Sequence, residues 1–182
     1  MINDSPDWYS DIQNMGLLPF PMLYSKLPTE RFSLGGEPVM MFEYMGRELF
    51  GSLWHQVQSF QIGGGFSQLF LHGNMGSGKS HMLAALACLL LRRGEHPVYL
   101  PDCRQMLANP LPYIQSAMLC SFADPSSLAC HNEIRSFQSM EDVWKFCGTL
   151  KTHLYFIVDQ INALEGGGNQ RRSGLKLREA GS

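Results

Sequence analysis

The stretch Gly73-Asn74-Met75-Gly76-Ser77-Gly78-Lys79-Ser80 constrains this chain more than any other. It fits G-x-x-x-x-G-K-[ST], the pattern of a loop that cradles phosphate. Glycines let the backbone wrap closely, so that successive N–H groups turn inward toward one anion. A helix starting at the end of such a loop adds its unsatisfied first-turn N–H groups and its positive dipole end. The apolar, β-prone run Gln68-Leu69-Phe70-Leu71-His72 precedes the loop, and residues 80–93 after it read as a helix. Strand, loop and helix therefore fall in the order that the chemistry requires. On this reading Lys79 reaches the β- and γ-phosphates of a nucleoside triphosphate, and the Ser80 hydroxyl ligates Mg²⁺. The rival reading is a Gly-rich turn that happens to precede a lysine, and it leaves the flanking order unexplained.

A chain of 182 residues is long enough for one domain with a real core. Its net charge of −2 gives no bulk attraction to nucleic acid or to an acidic membrane, so direct nucleic-acid binding is not expected. The five cysteines (Cys88, Cys103, Cys120, Cys130, Cys147) are dispersed with no C-x-x-C spacing. That usage suits reduced, mostly buried thiols in an intracellular setting. Cys130-His131 is a pair of adjacent metal-ligand types without a second pair, which reads as plain loop. Asp4, Asp7 and Asp11 interrupt any apolar core of a signal peptide. The longest apolar run, Met82 to Leu91, is too short to span a bilayer.

Residues 1–36 carry Pro6, Pro19, Pro21, Pro28 and the pair Gly35-Gly36, and read as an irregular arm packed through its aromatic and leucine side chains. A nucleotide-binding domain is expected over 37–165 and a polar disordered tail over 166–182. Val39 to Phe42 suits a short strand. Leu49, Phe50, Leu53, Trp54 and Val57 recur at helical spacing within about 46–60, giving a helix with one buried face. The helix from Ser80 is apolar nearly all round with interspersed alanines, as when a helix is buried against a sheet. His96 to Leu100 reads as a strand, and Asp102 or Arg104 at its end would stand where open α/β sheets place ligands, unless they form a solvated turn. Helices are expected over 111–122 and 140–150, with loop over 123–132.

Leu154-Tyr155-Phe156-Ile157-Val158-Asp159 is an apolar run ending in a carboxylate, the pattern of a strand buried on both faces of a parallel sheet. Asp159 at its C-terminal tip is placed for the Walker B role in the Mg²⁺ shell. Gln160 follows where a catalytic glutamate often stands. A neutral amide orients water but takes no proton as carboxylate does, so slow hydrolysis is expected. The alternatives are a base supplied by Glu165, or an ATP-bound switch that hardly turns over.

Several blocks then occur in a telling order: Lys26 to Phe32, Tyr44-Met45-Gly46-Arg47, Gly78-Lys79-Ser80-His81, Val98 to Arg104 and Phe156 to Leu164. Together they resemble the P-loop ATPase domain of Crinkler-type effector proteins of oomycetes and fungi, over about residues 24–165. The Gly46-Arg47 turn is similar to an element of AAA+ and STAND-type ATPases that helps form the base side of the nucleotide pocket. The resemblance implies an α/β P-loop NTPase with a parallel sheet flanked by helices. It also implies a cofactor-binding set running from Gly73 through His81, ATP and Mg²⁺ as cofactors, and a linked effector domain controlled by the ATPase. Gln160 after Asp159 is customary in that family, and the family allows export into a host cell.

After Leu164 the chain turns polar and glycine-rich, which supplies no further buried strand. The sheet is therefore expected to be incomplete at its C-terminal end. Two arrangements stay open: a truncated sheet with a gap, or direct pairing of the Asp159 strand with the P-loop strand, as in the kinase–GTPase order. Beside the weak ATPase stand a truncated, non-functional fragment and two further functional readings. One is an ATP-gated interaction module without hydrolysis, with self-association left open. The other is a kinase-branch phosphotransferase, whose lid would have only Arg171 and Arg172 to draw on.

Overall fold

The computed structural model describes residues 5–22, 28, 30–32, 35, 39–60, 67–74 and 76–162. Met75, Glu165, Arg171, Arg172 and the expected tail lie outside them. Two small sheets and a set of helices form a mixed α/β fold.

The N-terminal segment is more regular than its prolines and glycines suggest. Pro6–Ser10 forms helix α1, opened by the Ser5 side chain accepting from the Asp7 N–H and by proline in the first turn. Met15–Pro19 forms strand β1, which pairs antiparallel with β2, Met41–Met45, in a register from Met15 opposite Met45 to Pro19 opposite Met41. The expected irregular arm is thus corrected at both elements. Proline is tolerated at the end of β1 because that strand is an edge. The pairing also crosses the expected boundary at residue 36, joining arm and domain in one ribbon.

Helix α2, Leu49–Gln58, buries Phe50, Leu53, Trp54 and Val57 of the stripe its spacing predicts and packs on α1, while Leu49, at the first position, is corrected to an exposed residue at 67%. Helix α3, Lys79–Arg92, buries nearly every residue from Met82 to Leu90. Each large side chain so buried contributes about 1.5–3 kcal/mol. Alanines at 84, 85 and 87 let α3 approach strand β3, His96–Leu100, on which it packs. Four consecutive buried residues of β3 mean that both its faces are covered, and helix α5, Pro110–Ser121, is the second helix packed on it.

Strand β4, Leu154–Val158, pairs parallel with β3, His96 opposite Leu154 through Leu100 opposite Val158. Residues 67–72 before the Gly-rich loop form no strand, and Phe70 is 58% exposed. Direct pairing of the Asp159 strand with residues 68–72 is therefore not what forms. The run has β propensity, but a strand needs a ladder partner, and the one strand partner of β4 among the described residues is β3. The expectation that β4 is buried on both faces is corrected for the same reason: Phe156 is 48% exposed.

Two short helices escape the periodicity. Cys103–Ala108 (α4) occupies the expected turn after β3, and Leu128–Arg135 (α6), entered through a 3₁₀ turn at Pro125–Ser127, replaces the expected loop. Helix α7, Met140–Thr149, starts with a reciprocal cap. Ser139 Oγ accepts from the Asp142 N–H, and the Asp142 carboxylate accepts from the Ser139 N–H.

The Asp142 carboxyl is held below its ordinary value of 3.8 by the Gln138 N–H first and the Ser139 hydroxyl second. A group with a depressed folded pKa contributes stability that is complete above its unfolded value and lost as pH falls through the folded one. Replacing Ser139 with alanine should raise the Asp142 titration midpoint, read by carboxyl NMR, and make stability less sensitive to pH below about 4. An unmoved midpoint would show that the cap does not set it.

Candidate functional site

Gly78 is the N-cap of α3 and has φ of +79°, in the left-handed region that glycine enters at no steric cost. Gly76 has φ of +80°, so the loop turns twice through that region before the helix begins. Lys79 folds back over the loop. Its ammonium donates to the carbonyls of Gly73 and Asn74, both at 2.7 Å, and to Ser77 Oγ at 3.2 Å. An ammonium carries three donors and no acceptor, so the loop satisfies it fully. The result is a hydrogen-bonded ring of Lys79 with the solvent-exposed Gly73, Asn74 and Ser77 at the N-terminus of a 14-residue helix.

A second layer supports the ring. The Gly46-Arg47 turn is gripped by the arm: the Gly46 N–H donates to Asn14 O and the Arg47 N–H to Tyr9 O, each at 2.9 Å. A Cβ on Gly46 would lie 1.9 Å from Asp11 O, so only glycine fits there. This grip sends Arg47 across to the loop, where Nη1 donates to Ser77 O at 3.3 Å. A Cβ on Gly78 would lie 2.3 Å from the Arg47 guanidinium carbon. Gly78 therefore serves twice, for its backbone conformation and for the room it leaves Arg47.

Beside this turn lies a cleft of about 350 Å³ lined by Met15, Arg31, Glu43, Tyr44, Met45, Arg47 and His81. His81, one turn into α3, faces Phe32 with ring centroids 4.7 Å apart. Burial and then the nearby Arg47 charge push its pKa below 6.5, with Asp159 opposing them, so the ring is neutral near pH 7. Arg47 Nε is buried without a hydrogen-bond partner.

Asp159 stands where the sequence predicts, at the tip of β4, and is nearly buried. Its N–H donates to Leu100 O and its carbonyl accepts from the Cys103 thiol, which fastens β4 to the end of β3. Oδ1 accepts from the Gln160 N–H at 2.8 Å, and Oδ2 accepts from Arg31 Nη1 at 2.8 Å. Gln160 itself has φ of +58°, a left-handed conformation that costs a non-glycine residue about 1–2 kcal/mol. Such strain is found at functional sites, where surrounding structure holds it in place.

Arg31 is the residue that sequence reasoning missed. It comes from the arm, 128 positions before its partner, and no local pattern points to that pairing. Its neighbour Glu30 pairs with Arg104 at 3.0 Å. Asp102 and Arg104, candidates for a ligand edge or a solvated turn, have other work. Asp102 is buried and caps α4 by accepting from the Arg104 N–H, while its own N–H donates to the Tyr113 hydroxyl.

A phosphate group fits the first part of this site: a ring of glycine-rich backbone, a lysine inside it and a helix N-terminus behind it. The metal half does not fit as arranged, because the carboxylate that would serve Mg²⁺ already carries a guanidinium. Among the described residues no three His, Cys, Asp or Glu side chains gather as a cation site, Cys130-His131 included. All five cysteines are free thiols. Among the described residues no helix is long and apolar enough to cross a membrane. Comparison with protein-family models, curated proteins and solved structures finds no match to this chain.

Gly78→Ala should cost about 1–2 kcal/mol from the left-handed backbone, and a smaller amount for pushing aside the Arg47 guanidinium, the far end of a flexible side chain. Arg47→Ala in the same chain should recover the collision part. Urea melts of both single variants and the double are expected to give a coupling of about 1 kcal/mol; additive costs would separate Arg47 from the loop.

Proposed function

We propose that this chain is a P-loop nucleotide-binding module that takes ATP and hydrolyses it weakly, as the regulatory part of a larger effector-like protein. The observation that carries the proposal is the Lys79 ammonium closing the loop on the carbonyls of Gly73 and Asn74 at the head of α3. On this reading the lysine and the loop N–H groups would converge on one anion when it binds. A bound phosphate would exchange neutral carbonyl partners for charged oxygens, which form hydrogen bonds roughly twice as strong. The resemblance of the Gly46-Arg47 turn to the base-side element of AAA+ and STAND-type ATPases is in keeping with the cleft beside the loop, where Arg47 and neutral His81 stand.

The residues have distinct roles on this reading. Lys79 and the loop from Gly73 to Ser80 bind phosphate oxygens, and His81 closes the cleft against Phe32. Ser80 and Asp159 are the residues that would hold Mg²⁺, Asp159 only once Arg31 has left its Oδ2, and the ion would supply charge neutralisation between phosphates. Gln160 orients water through its amide and has no carboxylate with which to take the proton, so turnover is slow. A second reading, an ATP-gated interaction module that does not hydrolyse, is favoured by one specific observation: Asp159 Oδ2 is held by Arg31. The kinase-branch reading draws on Arg171 and Arg172, which lie outside the described residues, and nothing at the site favours it.

Lys79→Ala should weaken ATP binding by about 2–3 kcal/mol, read by calorimetry or by a fluorescent analogue. Unchanged affinity would sink the assignment. A melting scan paired with a phosphate-release assay separates the two functional readings. Saturating Mg-ATP at about a hundred times its dissociation constant should stabilise the fold by about 2.7 kcal/mol in either case. Slow phosphate release in a parallel single-turnover assay supports the weak ATPase, and none supports the gated module. Turnover of about 1 s⁻¹ or faster, the lower end of ordinary enzyme rates, that persists in Gln160→Ala would remove Gln160 from the chemistry.

A further inference from the structure

The Arg31–Asp159 pair does more than fasten the arm. We infer that Arg31 is a built-in competitor for the divalent cation at Asp159, so that arm docking at that carboxylate and metal–nucleotide loading exclude each other. The inference rests on the nucleotide reading above and deepens it by assigning its regulation.

Four observations carry it. First, the competition is over one atom, since Arg31 Nη1 lies 2.8 Å from Asp159 Oδ2 while Oδ1 is engaged by the Gln160 N–H. A carboxylate oxygen has spare lone pairs, so crowding alone excludes nothing. Charge does. A guanidinium and a divalent cation on one carboxylate repel strongly, and side chains exposed by only 16% and 9% get little help from solvent screening.

Second, Arg31 is delivered to this position and does not drift there. Its N–H donates to Pro28 O in a tight turn. Phe32, the next residue, is buried among Phe20, Phe42 and His81. Glu30 on its other side pairs with Arg104 at the end of β3.

Third, the hold is incomplete. Arg31 Nε and Nη2 are buried with no hydrogen-bond partner, and Glu30 Oε1 is 3.9 Å from Nε. An arginine bound through one nitrogen lacks the paired geometry that makes such contacts strong, so it is releasable. Fourth, Arg31 also lines the cleft beside the loop, so what enters that cleft meets it directly.

A purely structural ion pair would behave differently. Its loss would lower stability and leave the metal dependence of nucleotide binding unchanged. The discriminating quantity is the factor by which Mg²⁺ strengthens binding of a non-hydrolysable ATP analogue to the full chain, relative to EDTA. Taking this ratio removes whatever residue 31 contributes equally in both conditions. In Arg31→Gln the factor should rise about tenfold over wild type, the equivalent of one charge-assisted hydrogen bond. In Asp159→Asn it should fall to near unity. An unchanged or smaller factor in Arg31→Gln overturns the inference.

The wild-type chain gives a second measurement that needs no variant. Adding Mg²⁺ to protein already saturated with the analogue should speed phenylglyoxal modification of the Arg31 guanidinium several-fold, read by peptide mass spectrometry. Modification that stays slow while the metal binds overturns the inference equally. Failure of the nucleotide reading looks different: wild type then binds no analogue with or without Mg²⁺.

Discussion

The structure depends on an aromatic cluster that welds the N-terminal ribbon to the parallel strands. Phe20, Phe32 and Phe42 meet one another with centroids 5.0–6.0 Å apart, and Phe20 reaches Tyr99 of β3 at 6.0 Å. The interplanar angles run from 65° to 85°, the edge-to-face geometry that ring quadrupoles favour. Neither two-stranded sheet is large enough to stand alone in water. Packed through these rings, each gives the other the second layer it lacks, and α3 closes the interior by burying its middle against both β1 and β3.

Everything distinctive about the site follows from that weld. It fixes Phe32, which carries Arg31 to Asp159 on one side and covers His81 on the other. The same ribbon presents Gly46 and Arg47 to the head of α3, through backbone bonds from Tyr9 and Asn14. Charge is therefore arranged in two steps. Arginines from the N-terminal half stand against the Gly-rich loop, through Arg47 on Ser77 O, and against the Asp159 carboxylate, through Arg31. Neutral His81 lies between them and adds no third positive charge.

Much of the local structure was legible in the residues. The stripe in α2, the nearly all-apolar α3 and the run from His96 to Leu100 formed within a few residues of expectation, because burial period dominates in such segments. The arm was misjudged because Pro6 and Pro19 sit where proline is tolerated, in the first turn of α1 and at the end of an edge strand. Residues 68–72 failed in the opposite sense. Strand propensity was present there, but a ladder is a pairwise property, and β4 spends its one described pairing on β3.

Taken by itself, the sequence determined the chemistry available: a glycine-lysine loop ahead of a buried helix, and a carboxylate closing an apolar run. These are local patterns, written in spacing and backbone freedom, and they survive folding in place. What only the tertiary structure decided is the state of that chemistry. Arg31 reaches Asp159 across 128 residues because an aromatic weld puts the arm there, and the Lys79 ammonium rests on loop carbonyls. Pairings between distant charges depend on how whole elements pack, and no periodicity within either segment records them.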